Sequence, residues 1–176
     1  MGWFNVLKGA YPSLQQIDKT LNVASGQTGI VRGSCIYQSS ATEFSLALAA
    51  QATDSEAYIL FCLVGQDDLV AGMAGTRGQG APNGVAKITG LAVGMPIEFE
   101  TSEFDSTASY TIGQLLTVGA AGKLVDHTAG DNVVAQVTKT AASRWVNDAI
   151  AVTGFRTGAN QTIITARSLW IPIFTA

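Results

Sequence analysis

The sequence predicts a mainly β protein: a compact β-barrel or β-sandwich domain behind an extended N-terminal arm. Three observations predict it. Between Met95 and Lys139, Ile97, Phe99 and Thr101 alternate with Glu98 and Glu100, the period of two that a half-buried strand requires because successive side chains face opposite ways. The apolar segments Ile112–Val118 and Val133–Val137 follow, separated by Gly119, Gly122 and Gly130, and glycine lets the backbone reverse between strands. Ala57–Val64, AYILFCLV, is continuously apolar and reads as a central strand buried on both faces.

In chain order, residues 1–24 form the arm. Trp3, Phe4, Val6, Leu7 and Tyr11 are too dense an apolar cluster for a free terminus, so the arm docks either back onto its own domain or onto a neighbouring subunit. Ser13 to Gln16 after Pro12 makes a capping-box pattern, and Leu14, Ile17 and Leu21 lie on one helical face, which predicts a short helix over Leu14–Val23. Residues 25–176 form a single β domain. From Thr28 the period becomes two, through Val31, Gly33, Cys35 and Tyr37, and Glu43–Ala50 reads as the next strand. Residues 65–84, GQDDLVAGMAGTRGQGAPNG, form a glycine-rich loop carrying Met73 and Arg77; long connections of this kind usually touch something. Val85–Leu91 resumes as a strand. After Lys139 a loop carrying Arg144 and Trp145 precedes Ala149–Phe155, and Thr162–Phe174 supplies a last strand that Pro172 confines to an edge or an end.

A chain of 176 residues can bury one real core without staples. The 47% hydrophobic content is ordinary, but 13% charged is well below the usual figure of about a quarter. The surface is therefore weakly solvated and weakly repelling, which points to an exterior partly covered by other subunits. A net charge of −3 with no Lys/Arg cluster argues against nucleic acid as a partner and against polybasic membrane binding. The N-terminal MGWFNVLKGAYP has neither the charged nor the unbroken apolar region of a secretion signal, so the protein is expected to be made and kept soluble. Cys35 and Cys62 each sit in an apolar run and read as small buried hydrophobes in a reducing compartment, not as a disulfide.

Three groups of residues invite chemistry. Gly72, Gly75, Gly78, Gly80 and Gly84 lack the Gly-Lys-Ser/Thr entry into a helix that a phosphate loop needs and read as a surface loop. His127, the sole histidine, sits in Asp126-His127-Thr128-Ala129-Gly130-Asp131 without the further His or Cys of a transition-metal site, and reads as turn chemistry; calcium held by that turn is the remaining alternative. Glu98, Glu100, Glu103 and Asp105 form the sharpest enzymatic alternative, a glycan-binding or glycan-cleaving module using Glu98 and Glu100 as paired carboxylates. Against it, Trp3, Trp145 and Trp170 are scattered along the chain and offer no aromatic platform, so a solvated outer face is the favoured reading. No catalytic, cofactor or metal residue is assigned.

The same central stretch resembles the head decoration, or capsid cement, proteins of tailed phages. An E-x-x-T-x-x-F-D segment is present as Glu98, Thr101, Phe104 and Asp105. A Y-x-x-G-x-x-L segment follows as Tyr110, Gly113 and Leu116, then a G-K-L hairpin as Gly122, Lys123 and Leu124, and a closing V-V-x-Q-V as Val133, Val134, Gln136 and Val137. Gly29–Gly33 looks like the first strand of that kind of module. The resemblance implies a tulip-like β domain and a non-enzymatic structural protein of the bacteriophage virion. Such a protein binds the major capsid protein on the outer capsid surface, as a homo-oligomer and by preference a trimer. On that reading Trp3, Phe4, Val6, Leu7 and Tyr11 of the arm, with Met73 and Arg77 of the glycine-rich loop, are the interface residues.

Overall fold

The computed structural model describes residues 2–8, 16–27, 29–54, 58–65, 87–93, 97–150 and 156–168. They form a mainly β protein of two sheets. The strands are β1 (Phe4–Lys8), β2 (Gln16–Val23), β3 (Cys35–Ser40), β4 (Glu43–Leu46), β5 (Ile59–Val64), β6 (Lys87–Val93), β7 (Glu98–Thr101), β8 (Leu115–Val118), β9 (Leu124–Asp126), β10 (Ala135–Ile150) and β11 (Arg156–Ser168). One turn of helix, α1 (Ala49–Ala52), follows β4, and a 3-10 turn at Ala120–Gly122 joins β8 to β9.

The first sheet has six strands in the order β1-β7-β11-β10-β8-β9. The second runs β4-β3-β5-β6, with β2 pairing along β6 from Gln16↔Val93 to Asn22↔Lys87. β2 also meets β4, in parallel, through Asn22↔Glu43 and Val23↔Phe44 alone. There the Asn22 N–H donates to the Thr42 carbonyl at 3.1 Å and the Ala24 N–H to the Phe44 carbonyl at 2.9 Å, so the sheet is curled until its two edge strands meet.

Two cores result, and β3 and β5 serve both. Cys35 and Phe61 face the core between the sheets, where they meet Phe4, Phe99, Leu116, Val118, Val137, Ile164 and Ala166. Their neighbours Ile36, Leu60 and Cys62 face the other way, into the hollow of the curled sheet with Val23, Ile30, Phe44 and Ile88. This is why AYILFCLV has no polar alternation: each side of the strand is buried. The free thiols of Cys35 and Cys62 are both buried and lie in different cores, so they pack as hydrophobes as expected. Burial, with the negative charge of Glu103, pushes the Cys35 thiol up to about 12.

Gly122 shows how closely the sheets approach. A Cβ there would lie 2.7 Å from the Cys35 carbonyl oxygen and 2.7 Å from Leu46 Cδ2, and its φ is +69°. Only glycine supplies both the space and the left-handed backbone. A second tie comes from Asn132. Its backbone N–H donates to the Ala52 carbonyl at 2.6 Å, and its side-chain N–H₂ donates to the carbonyls of Gln51 (3.1 Å) and Asp54 (2.9 Å). The open carbonyls at the end of α1 are thus satisfied from 80 residues away in the chain.

Four expectations are corrected. The helix over Leu14–Val23 is instead strand β2 from Gln16 onward; Leu21 and Val23 alternate into the inner core, and an isolated helix of that length is marginal while a full ladder with β6 is on offer. The arm of residues 1–24 is not separate, since β1 is the outermost strand of one sheet and β2 belongs to the other. Gly29–Gly33 is not a strand: the Ser34 N–H donates to the Val31 carbonyl at 3.0 Å and the Val31 N–H to Ser34 Oγ at 3.2 Å, closing a turn. Arg144 and Trp145 do not lie in a loop but within β10, and β11 begins at Arg156. The glycine-rich residues 66–86 and the stretch around Pro172 lie outside the described residues.

Candidate interaction surface

The arm residues are distributed by the period of two. Phe4 is 6% exposed and stacks on Phe99 and Phe61 with ring centroids 5.2 and 5.3 Å away. Trp3 is half-buried and its backbone makes two hydrogen bonds to Ser102: its N–H donates to Ser102 Oγ at 2.9 Å, and its carbonyl accepts from the Ser102 N–H at 3.1 Å. Val6 packs half-buried against the shared core, while Leu7 is 38% exposed. Of the expected anchors in and just before β1, Phe4 is therefore a core residue, Trp3 and Val6 are largely held by their own domain, and Leu7 is the one substantially presented. Tyr11, Met73 and Arg77 lie outside the described residues.

The resemblance residues are structural. Phe104 is buried and meets Tyr110 edge-on at 5.8 Å, and it bridges to Leu124. Asp105 accepts from the Thr107 hydroxyl at 2.6 Å and its N–H at 3.0 Å, which together hold its carboxyl below the ordinary value of 3.8. The Gly113 N–H donates to the Val137 carbonyl at 2.8 Å, and Gln136 returns a side-chain bond to the Gly113 carbonyl at 3.0 Å. Leu116, Leu124 and Val137 are core. Tyr110 is buried with no hydrogen-bond partner for its hydroxyl among the described residues, and burial followed by the charges of Asp105 and Asp126 raises it to about 12.

Glu98 and Glu100 share one face of β7, as their alternation requires, but it is not the solvated face that the sequence suggested: Glu98 is half-buried and Glu100 only 4% exposed, while Phe99 and Thr101 on the opposite face are fully buried. Both carboxylates are engaged. The Thr138 hydroxyl donates to Glu98 at 3.1 Å, and the Arg144 guanidinium pairs with Glu100. Arg167 stands opposite Glu98 in register. His127 Nε2 lies 3.1 Å from the Asp131 carbonyl, and the Asp131 carboxylate accepts from the Thr128 N–H at 3.1 Å, so this is the turn that the sequence suggested. Among the described residues there is no group of three or more His, Cys, Asp or Glu placed to hold a metal, and no helix long and apolar enough to cross a membrane.

The feature that sequence reasoning missed is a projecting ribbon. β8 pairs with β10 only at Ala135 and Gln136, and β7 pairs with β11 only from Ile164 to Arg167. Beyond those rows β10 and β11 pair with each other from Ala142↔Ile163 to Ile150↔Arg156, nine residues of β10 that extend roughly 30 Å at about 3.3 Å per residue. Register slips between Val137 and Lys139 and between Lys139 and Ala142 mark bulges, which bend and twist a ribbon away from its sheet. Trp145 on this ribbon is 64% exposed. Only an alternation would have signalled it, and the exposed run Ala142–Trp145 carries none.

Comparison with protein-family models, with curated proteins and with solved structures finds no match for this chain.

Proposed function

We propose that the protein is a structural cement protein of a phage virion, binding the outer surface of an assembled capsid through its major capsid protein and acting without catalysis. The observation that carries this reading is the β10–β11 ribbon with Trp145 exposed near its middle. A two-stranded ribbon is marginally stable alone, and a large exposed aromatic is the kind of side chain that anchors interfaces. The ribbon takes the reaching role that the sequence assigned to an N-terminal arm. Leu7 on the outermost strand, and a chain with few charges, suit burial against neighbours. The resembling residues lie together in one continuous submodule, from β7 through the Phe104–Leu124 bridge to β10, as a shared scaffold would. At the finer level of fold, the core between the two sheets suits a sandwich of tulip-like form.

The mechanism is multivalent. A homotrimer binding a repeating shell converts modest contacts into a large sum, and a molecule that binds only the expanded lattice stabilises that state by mass action. The test is co-sedimentation of purified protein with expanded empty shells. Wild-type protein is expected to pellet with shells and Trp145→Ala to lose occupancy while its melting temperature stays unchanged. Absence of wild-type protein from the pellet would sink the reading.

A further inference from the structure

An ion pair between Arg144 and Glu100 ties the ribbon back to the body. Arg144 pairs in register with Gln161, four residues along β11 from Thr165, and Thr165 is the residue opposite Glu100. The pair therefore spans β11 entirely and joins β10 to β7. Strong twist in a two-stranded ribbon, added to by the two bulges, brings the guanidinium across. The face it reaches is closed: Glu100 is 4% exposed, and Ile163 and Thr165 on the same side are buried as well. A carboxylate at such a depth needs a cation beside it, since breaking a buried pair leaves an uncompensated charge.

We propose that the Arg144–Glu100 ion pair is a latch that sets the pitch of the ribbon on the body and so determines which of its faces is offered outward. Successive strand residues point to opposite sides. With Arg144 drawn in toward Glu100, Trp145 is turned away from the body, in keeping with its exposure. Both residues act by positioning; neither is assigned contact with a partner. The latch is a property of the isolated chain and does not depend on the capsid reading, so failure to bind shells leaves it standing.

The test uses spin labels at Ser106→Cys on the body and Ser143→Cys on the ribbon, both exposed positions, with the native cysteines buried and unlabelled. The interlabel distance distribution of the otherwise wild-type protein is expected to be single and narrow. Arg144→Gln and Glu100→Gln should each shift and broaden it, and the double variant should broaden it no further than one single change. If Glu100→Gln does not fold, Arg144→Gln at its half-exposed position decides the matter alone. A distribution in Arg144→Gln identical to that of wild type, whether or not the melting temperature falls, would overturn the proposal.

Discussion

Phe4 of β1 stacks against Phe61 of β5 with ring centroids 5.3 Å apart, so the first strand of one sheet is sealed directly onto the central strand of the other. Phe99 completes the cluster, 4.6 Å from Phe61. Phe4→Ala should therefore cost about 3–5 kcal/mol, the usual toll for emptying an aromatic site in a core. Leu7→Ala, three residues on but outward-facing, should stay within about 0.5 kcal/mol. Urea unfolding of the two variants separates a strand that builds the domain from an arm that merely hangs from it.

Gly122 and Gly113 both have positive φ, +69° and +90°, but only the first is crowded. Gly113→Ala meets open space and should cost about 1–2 kcal/mol for the left-handed backbone alone. Gly122→Ala adds the clash with Cys35 and Leu46 and should lose roughly 3 kcal/mol or more, since overpacking contributes a further 1–3 kcal/mol or so. Equal losses in thermal or urea unfolding would contradict the tight approach of the sheets.

Asn132→Ala removes the two side-chain hydrogen bonds to Gln51 and Asp54. A loss of about 1–2 kcal/mol is expected, with faster amide exchange in α1 and in the adjoining loop. Exchange unchanged in α1 would show that Asn132 does not hold that turn.

Tyr110 and Cys35 make the fold sensitive to alkali. Both have folded-state values raised to about 12, from ordinary values of 10.0 and 9.0. A raised value means that the native state holds its protons longer than the unfolded chain does. The associated stability is thus complete below the unfolded values and is lost as pH climbs from 9.0 toward about 12. Because its hydroxyl is buried without a partner, Tyr110→Phe should lie within about 1 kcal/mol of wild type at neutral pH and should flatten the alkaline decline in melting temperature. An unchanged slope would assign the decline elsewhere.

Strands whose surroundings impose a rule on them could be read directly from their residues. β5 had to be apolar throughout because it divides two cores, and β7 alternates in polarity because Phe99 faces the core between the sheets while Glu98 and Glu100 lie on the other face, where Thr138 and Arg144 meet their carboxylates. Tyr110, Gly113 and Leu124 were legible as a motif since turn geometry and burial restrict those positions to few residue types. The remainder depended on contacts between segments far apart in the chain. Leu14, Ile17 and Leu21 fit a helical face, but β6 offers β2 a ladder along seven positions, and local periodicity cannot weigh a partner some seventy residues away. Phe4 looked like an external anchor because a sequence does not say whether an apolar terminus finds its cavity at home; Phe61 and Phe99 supply that cavity. The ribbon was not legible because the exposed run Ala142–Trp145 has no apolar alternation to mark a strand, and the pairing of Arg144 with Glu100 depends on a twist and two bulges that arise only once β10 and β11 have paired.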